Sequence, residues 1–183
     1  EVVMERLDVK QQVFEKVAQH RKPGAIVTSN TSGIPMKDMA ATMPKEMSQH
    51  FMGTHFFNPP RYLKLLELIP GPDTLPEVME TMAWFGENVL GKGIVRAKDT
   101  PNFVANRIIT FAMQYLMYEM VKEGLSVEEV DALTGTAIGH ASSGTFRTCD
   151  LVGLDTFQKV AGNVYKGCPD DEWHEIMKGP DFY

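Results

Sequence analysis

The sequence has 183 residues, of which 43% are hydrophobic and 23% charged, with a formal net charge of -6. Those proportions argue against a disordered or fibrous chain, and the acidic balance argues against nucleic-acid binding, which draws on clustered Lys and Arg. Two cysteines, Cys149 and Cys168, are too few and too far apart for a zinc-ligand pattern or a disulfide framework. They fit a reduced, cytoplasmic setting. No apolar stretch is long enough to span a bilayer, and no secretory signal opens the chain. The start, Glu1-Val2-Val3 without an initiator Met, reads as a cut inside a larger protein.

In chain order, Glu1–Val3 reads as the tail of a buried strand, and Asp8 with Gln11 as a capping box. Val9, Val13, Phe14 and Val17 follow at helical period, and Pro23-Gly24 ends that helix. Ala25–Thr28 has strand length, Ser29–Gly33 is a polar turn, and a short helix over Ile34–Met43 is closed by Pro44. Phe51–Phe57 and Leu63–Ile69 read as buried strands separated by Asn58-Pro59-Pro60. A helix over Pro76–Leu90 and a strand over Gly93–Ala97 follow. Helices alternating with apolar strands predict a mainly parallel α/β sheet. From Lys98 the character changes. Thr100-Pro101 reads as a cap with Pro at the first position of a helix running to Glu123. Ser126 and Glu129 form a second capping box, opening a helix to about Ile138. Further helices cover about Thr145–Val152 and Leu154–Tyr165. The expected organisation is α/β over residues 1–97 and all-α over 98–183.

Two ionisable groups lie inside apolar runs: His55 within Phe51–Phe57, and Glu67 between leucines. A buried carboxylate is costly unless paired, and an imidazole is a suitable partner. The carboxylate accepts one ring N–H and fixes the tautomer, leaving the other nitrogen for proton transfer, as a general base requires. A purely structural His–Glu contact remains open, as does a metal site drawing on His50, His55 and Glu67, which no tight motif supports. The hydroxyls of Ser29–Gly33 follow a strand end, where α/β sheets bind ligands, yet Ser, Asn, Thr and Gly also make ordinary turns. Asn106 can face a cleft between the domains or a solvated helix face. Gly91-Lys92-Gly93 lacks the third glycine of a dinucleotide turn and leads into a strand. Met113, Met117 and Met120 fall at helical spacing, as packing or a subunit contact would place them.

Several segments together carry a resemblance: Ser29-Asn30-Thr31-Ser32, Gly53-Thr54-His55-Phe56-Phe57-Asn58-Pro59, Lys64-Leu65-Leu66-Glu67, the stretch from Lys98 to Arg107, and Asp150 to Thr156. In order and spacing the chain resembles the 3-hydroxyacyl-CoA dehydrogenase family, with wording nearest the dehydrogenase part of bacterial fatty-acid β-oxidation proteins. The resemblance implies part of a Rossmann-like NAD-binding domain followed by a helical C-terminal domain. It implies oxidation of (3S)-3-hydroxyacyl-CoA to 3-oxoacyl-CoA with NAD as acceptor. It assigns His55 as general base and Glu67 as its orienting acid. By the same resemblance Ser32 and Asn106 would hold the substrate oxygens, with Ser32 also near the nicotinamide. Glu5 and Asn58 match positions that touch NAD, and Lys10 matches one that meets the cofactor or the CoA phosphates. A homodimer through the helical domain is expected. Ser142-Ser143-Gly144-Thr145-Phe146-Arg147 departs from the Pro-Met-Gly-Pro-Phe-Glu segment of many relatives, which bears on acyl-chain preference. The glycine-rich turn and the ribose-binding acid would precede residue 1, so the chain alone is expected to bind NAD weakly and turn over little.

Two other readings compete. One is a non-catalytic acyl-CoA-binding or assembly module of the same fold. The other is a two-domain NAD enzyme acting on a small hydroxy acid. A dinucleotide turn upstream in the parent chain separates the first from the enzyme, and substrate assays separate the second.

Overall fold

The computed structural model describes residues 1–180. Tertiary contacts divide the chain into two compact units, Glu1–Val104 and Ala105–Tyr183. The division falls beyond the expected boundary at Ala97 because residues 98–104 are tied to the sheet unit. The Asp99 carboxylate accepts from the backbone N–H groups of Met36 and Lys37, and the Val104 N–H donates to Glu67.

The first unit holds α1 (Leu7–His20), β1 (Val27–Ser29), α2 (Met36–Ala40), α3 (Lys45–Gln49), β2 (Phe51–Phe56), β3 (Leu65–Pro70), α4 (Pro76–Trp84) and β4 (Gly93–Arg96). The four strands form one sheet in the order β1-β2-β3-β4. β1–β2 and β3–β4 are parallel, but β2–β3 is antiparallel. The expectation of a mainly parallel sheet is therefore corrected to a mixed one. Only residues 57–64 separate β2 from β3, and a parallel pair needs a crossover of about a dozen residues or more.

Side chains alternate across the sheet, and two cores result. Phe51 and Ile69 face Phe14, Met36 and Met39 of α1 and α2. Met52, Leu66 and Leu68 face Val78 and Ala83 of α4. Both faces are covered, which is why β2 and β3 read as continuous apolar runs. α4 continues into a π turn, Phe85–Val89. There Gly86 lies so close to β4 that a Cβ would fall 2.6 Å from Ile94 Cδ1.

Glu1–Val3 forms no strand, and Val2 is exposed. Asp8 does not cap α1; the helix starts at Leu7, so Asp8 lies inside its first turn and accepts from Arg6 instead. α3 goes beyond the single short helix expected over Ile34–Met43, since Pro44 opens it rather than only closing α2.

The second unit is helical: α5 (Ala105–Glu123), α6 (Val127–Thr134), α7 (Phe146–Val152) and α8 (Leu154–Gly167), with short 3-10 turns at Thr136–Ile138 and His174–Lys178. No strand occurs after Arg96 among the described residues. The Ser126–Glu129 capping box forms as expected. Asp131 of α6 caps α7 by accepting from the N–H groups of Phe146 and Arg147. Met113 and Met117 pack with Cys149, Phe146 and Phe157, so these methionines serve as core. Arg107 of α5 pairs with Asp171. None of the described helices is long and apolar enough to cross a membrane.

Candidate active site

β2 and β3 pair in a register that sets His55 directly opposite Glu67. Both belong to the face that carries Phe51 and Ile69, so their side chains meet beside the α1/α2 core. His55 Nδ1 lies 2.7 Å from Glu67 Oε2, with exposures of 3% and 0% for the two side chains. A carboxylate can only accept, so Nδ1 carries the proton and Nε2 is the nitrogen left to exchange one. The other carboxylate oxygen, Oε1, accepts from the backbone N–H of Val104 at 3.0 Å. The imidazole is flanked by Phe57 and Phe103, with ring centroids at 4.5 and 5.6 Å.

The segment carrying Phe103 and Val104 differs from expectation. Thr100-Pro101 does not open the long helix; α5 begins at Ala105. Asn102 and Phe103 instead adopt left-handed φ of 58° and 52°. Each such non-glycine residue costs about 1–3 kcal/mol and persists only where its surroundings fix it. Both are buried. Sequence reasoning missed this turn because Thr-Pro is also the ordinary opening of a helix. The available signal was Asn102, since Asn is enriched at positive φ.

The loops after β1 and β2 leave the same end of the sheet, and the Asn30 side chain joins them by accepting from the Phe56 N–H at 2.9 Å. Ser32 and Asn58 are exposed on these loops. Glu5 accepts from the Thr31 hydroxyl and from the Ser32 N–H, and so holds the first loop. Lys10, expected to meet a ligand, is turned inward. It is 1% exposed and its ammonium lies 3.1 Å from both Glu1 and Glu5. An ammonium buried this far is stabilised by paired carboxylates, so Lys10 supports Glu5 from below rather than facing solvent. Burial pushes the Glu1 carboxyl up, but the Ser29 hydroxyl, the Val3 N–H and Lys10 outweigh it and leave Glu1 below its ordinary range. Asn106 sits in the first turn of α5, in the helical unit, half-buried.

Two other candidates resolve as structure. Lys92 of the Gly91-Lys92-Gly93 stretch donates to the carbonyls of Pro60 and Leu63, clamping the β2–β3 loop. His50 Nδ1 lies 2.8 Å from the Glu46 carbonyl, at the start of β2 rather than its end. Among the described residues no three His, Cys, Asp or Glu side chains could hold a metal ion.

Polar groups gathered at the carboxyl ends of two parallel strands occupy the position where open α/β sheets take ligands. Ser32 and Asn58 present an exposed hydroxyl and an exposed amide there. Residues 1–100 match the family model described as the 3-hydroxyacyl-CoA dehydrogenase NAD binding domain. The fold and the match together define a Rossmann-like NAD-binding domain over residues 1–100. Residues 103–179 match the model of the 3-hydroxyacyl-CoA dehydrogenase C-terminal domain. The chain belongs to the 3-hydroxyacyl-CoA dehydrogenase family.

A probable 3-hydroxyacyl-CoA dehydrogenase of Bacillus subtilis is 55% identical over 182 residues, covering 100% of this chain and 23% of that protein. The human mitochondrial hydroxyacyl-coenzyme A dehydrogenase is 32% identical over 178 residues, covering 96% of this chain and 52% of that protein. The crystal structure of (S)-3-hydroxybutyryl-CoA dehydrogenase from Ralstonia eutropha superposes with a TM-score of 0.86 at 27% identity, covering 98% of this chain and 60% of that one. The chain thus spans between about a quarter and about half of these curated relatives.

Proposed function

We propose that the protein carrying this chain oxidises a (3S)-3-hydroxyacyl-CoA to the 3-oxoacyl-CoA within fatty-acid oxidation. The observation that carries the reading is the buried His55–Glu67 pair on strands whose neighbouring loops, after β1 and β2, leave the same end of the sheet. His55 Nε2 takes the proton of the 3-hydroxyl as the C3–H bond breaks, and returns it in the reverse direction. Glu67 holds the Nδ1–H tautomer and stabilises the imidazolium once the proton arrives. NAD, when bound, supplies the nicotinamide ring that accepts the hydride. Ser32 and Asn58 hold that ring's polar groups, with Glu5 fixing the Ser32 loop and Lys10 acting through Glu5. The family resemblance supports assigning Ser32 and Asn106 to the substrate oxygens.

Exposed Leu151, Val152 and Leu154, at the α7–α8 junction, support a homodimer through the helical unit. Sedimentation of the full-length protein, with Leu151→Glu as the comparison, tests it; a variant that stays dimeric refutes that surface.

The activity test is NADH formation from 3-hydroxyacyl-CoA by the full-length protein and its His55→Gln variant. Loss of a general base lowers kcat by about 10²–10⁴-fold. Full activity in the variant, or turnover of short hydroxy acids but not the CoA thioester, overturns the reading.

A further inference from the structure

We infer that the left-handed turn at Asn102–Phe103 is a positioning device for the proposed base, acting on both members of the His55–Glu67 pair at once. The inference rests on the reading of that pair as base and orienting acid. Among the described residues, Asn102 and Phe103 are the non-glycine positions with positive φ, and they are consecutive. The neighbours of the turn show its effect. In a right-handed helix begun at Thr100, the Val104 N–H would point to the Thr100 carbonyl, four residues back. Here the Thr100 carbonyl accepts from Phe103 instead, at 3.0 Å. The Val104 N–H is thereby released to Glu67 Oε1, also at 3.0 Å.

The same turn sets the Phe103 ring edge-on to the imidazole, at 5.6 Å and 62°. Phe57 packs on the imidazole as well, at 4.5 Å. Glu67 is thus gripped at both oxygens, by a backbone donor and by His55, and cannot rotate without losing one of them. The imidazole cannot swing without moving a buried phenyl ring. Two residues of strained backbone therefore fix the plane of the acid and the ring of the base together. A general base displaced by about 1 Å from its proton can lose about 10²-fold in rate, so this fixation acts on turnover rather than on binding.

Residue 102 separates backbone from side chain. Glycine adopts positive φ freely, whereas a β-branched residue is excluded from it. In the full-length protein, Asn102→Gly is expected to retain most of the rate. Asn102→Val is expected to lower kcat about 10- to 100-fold with KM for NAD and for 3-hydroxyacyl-CoA little changed. The second readout is independent of turnover: ¹⁵N-histidine NMR of the unliganded protein, with His55 assigned through His55→Gln. The His55 Nδ1 proton is expected to keep its wild-type position in Asn102→Gly and to shift in Asn102→Val. Should Asn102→Val fail to fold, Phe103→Leu leaves the Val104 N–H in place and removes the ring, and is expected to lower kcat and broaden the His55 signals.

A folded Asn102→Val with unchanged kcat and an unchanged Nδ1 proton overturns the inference. Equal losses in the Gly and Val variants overturn it as well, because they trace the effect to the Asn102 side chain. An unaltered Phe103→Leu, in rate and His55 signals, does so if Asn102→Val cannot be made. His55→Gln distinguishes the two levels. If it stays active, the base assignment itself fails; if it is inactive while the turn variants behave as wild type, only the positioning role fails.

Discussion

Replacing Glu67 by Gln alters the buried pair without changing its volume, and the hydrogen bonds to His55 and Val104 set the direction of the effect. Both carboxylate oxygens accept hydrogen bonds, Oε2 from His55 Nδ1 and Oε1 from the Val104 N–H. An amide offers one acceptor and one donor group, so it cannot satisfy both neighbours as they stand. The backbone donor cannot change its character. The amide oxygen therefore stays with Val104, and the NH₂ group faces Nδ1. Nδ1 must then present its lone pair, which moves the ring proton to Nε2. That is the nitrogen required to accept the substrate proton. The variant also loses the negative charge that stabilises the imidazolium. We expect kcat to fall by about 10²–10⁴-fold, which at about 1.36 kcal/mol per decade is a barrier increase of about 2.7–5.4 kcal/mol. Stability should change little, because a charged hydrogen bond exceeds a neutral one by only about 1 kcal/mol and the amide still pairs. Glu67→Ala should behave differently, stranding the buried His55 Nδ1–H at about 1–3 kcal/mol and removing the acceptor of the part-buried Val104 N–H. The assay is initial-rate NADH formation by the full-length protein, with thermal melting and ¹⁵N shifts of His55 read on the same samples. A Gln variant that keeps wild-type kcat, or one that keeps the proton on Nδ1, refutes the reasoning.

The helical unit carries further tests. Gly144 has φ +65°, and a Cβ there would lie 2.7 Å from both Cα and the carbonyl oxygen of Asp131. Gly144→Ala combines backbone strain with overpacking and should cost about 2–5 kcal/mol, read as a lowered Tm. Burial, and then the nearby Asp131 charge, push the Cys149 thiol up to about 11. Iodoacetamide at pH 8 should therefore modify the half-buried Cys168 before Cys149 in the folded protein; peptide mapping that finds the reverse order contradicts the packing described for α7. The hydrogen bond from Arg107, followed by the Trp173 N–H, holds the Asp171 carboxyl below its ordinary range. A depressed folded value stabilises above the unfolded pKa of about 3.9 and is lost as pH falls through the lower folded value. The Tm difference between wild type and Asp171→Asn should accordingly be largest near neutrality and shrink below about pH 4; a difference that grows on acidification would contradict the sign.

The candidate site was legible because two titratable residues stood in runs that both faces of a sheet must bury. His55 among phenylalanines and Glu67 among leucines are affordable only if they meet, and they do meet. The geometry that joins them was less legible. Alternating helices and strands predict crossovers, and nothing in the composition of Asn58-Pro59-Pro60 announces that this connection returns antiparallel. Its shortness does. Thr100-Pro101 misled for a related reason: the same dipeptide opens helices and tight turns, and only tertiary contacts with Glu67 and His55 decide between them. Asp8 shows the limit of motif spacing, since its separation from Gln11 is right while the helix simply starts too early for Asp8 to cap it. Lys10 carries the same lesson at the site. Its residue type suggests an anion partner, and the partners are Glu1 and Glu5 of its own chain.

Because the pair spans two antiparallel strands, strand register decides whether the site exists. A slip of one residue would carry Glu67 to the opposite face, against Met52 and α4, and bring Leu66 or Leu68 opposite His55 in its place. Several contacts resist such a slip. Gly53, opposite Ile69, admits no larger residue without displacement, since a Cβ would come within 3.0 Å of Met36 Sδ and 3.1 Å of Ile69. Lys92 grips the connecting loop from β4's side, and Asn30 ties the end of β2 to the loop after β1. These residues touch neither His55 nor Glu67 by hydrogen bond, yet each opposes the one movement that would separate the two. The antiparallel turn-back between β2 and β3 is thus what allows one strand to bring the proposed base and the next to bring its acid, and the clamps on that turn hold the pair in register.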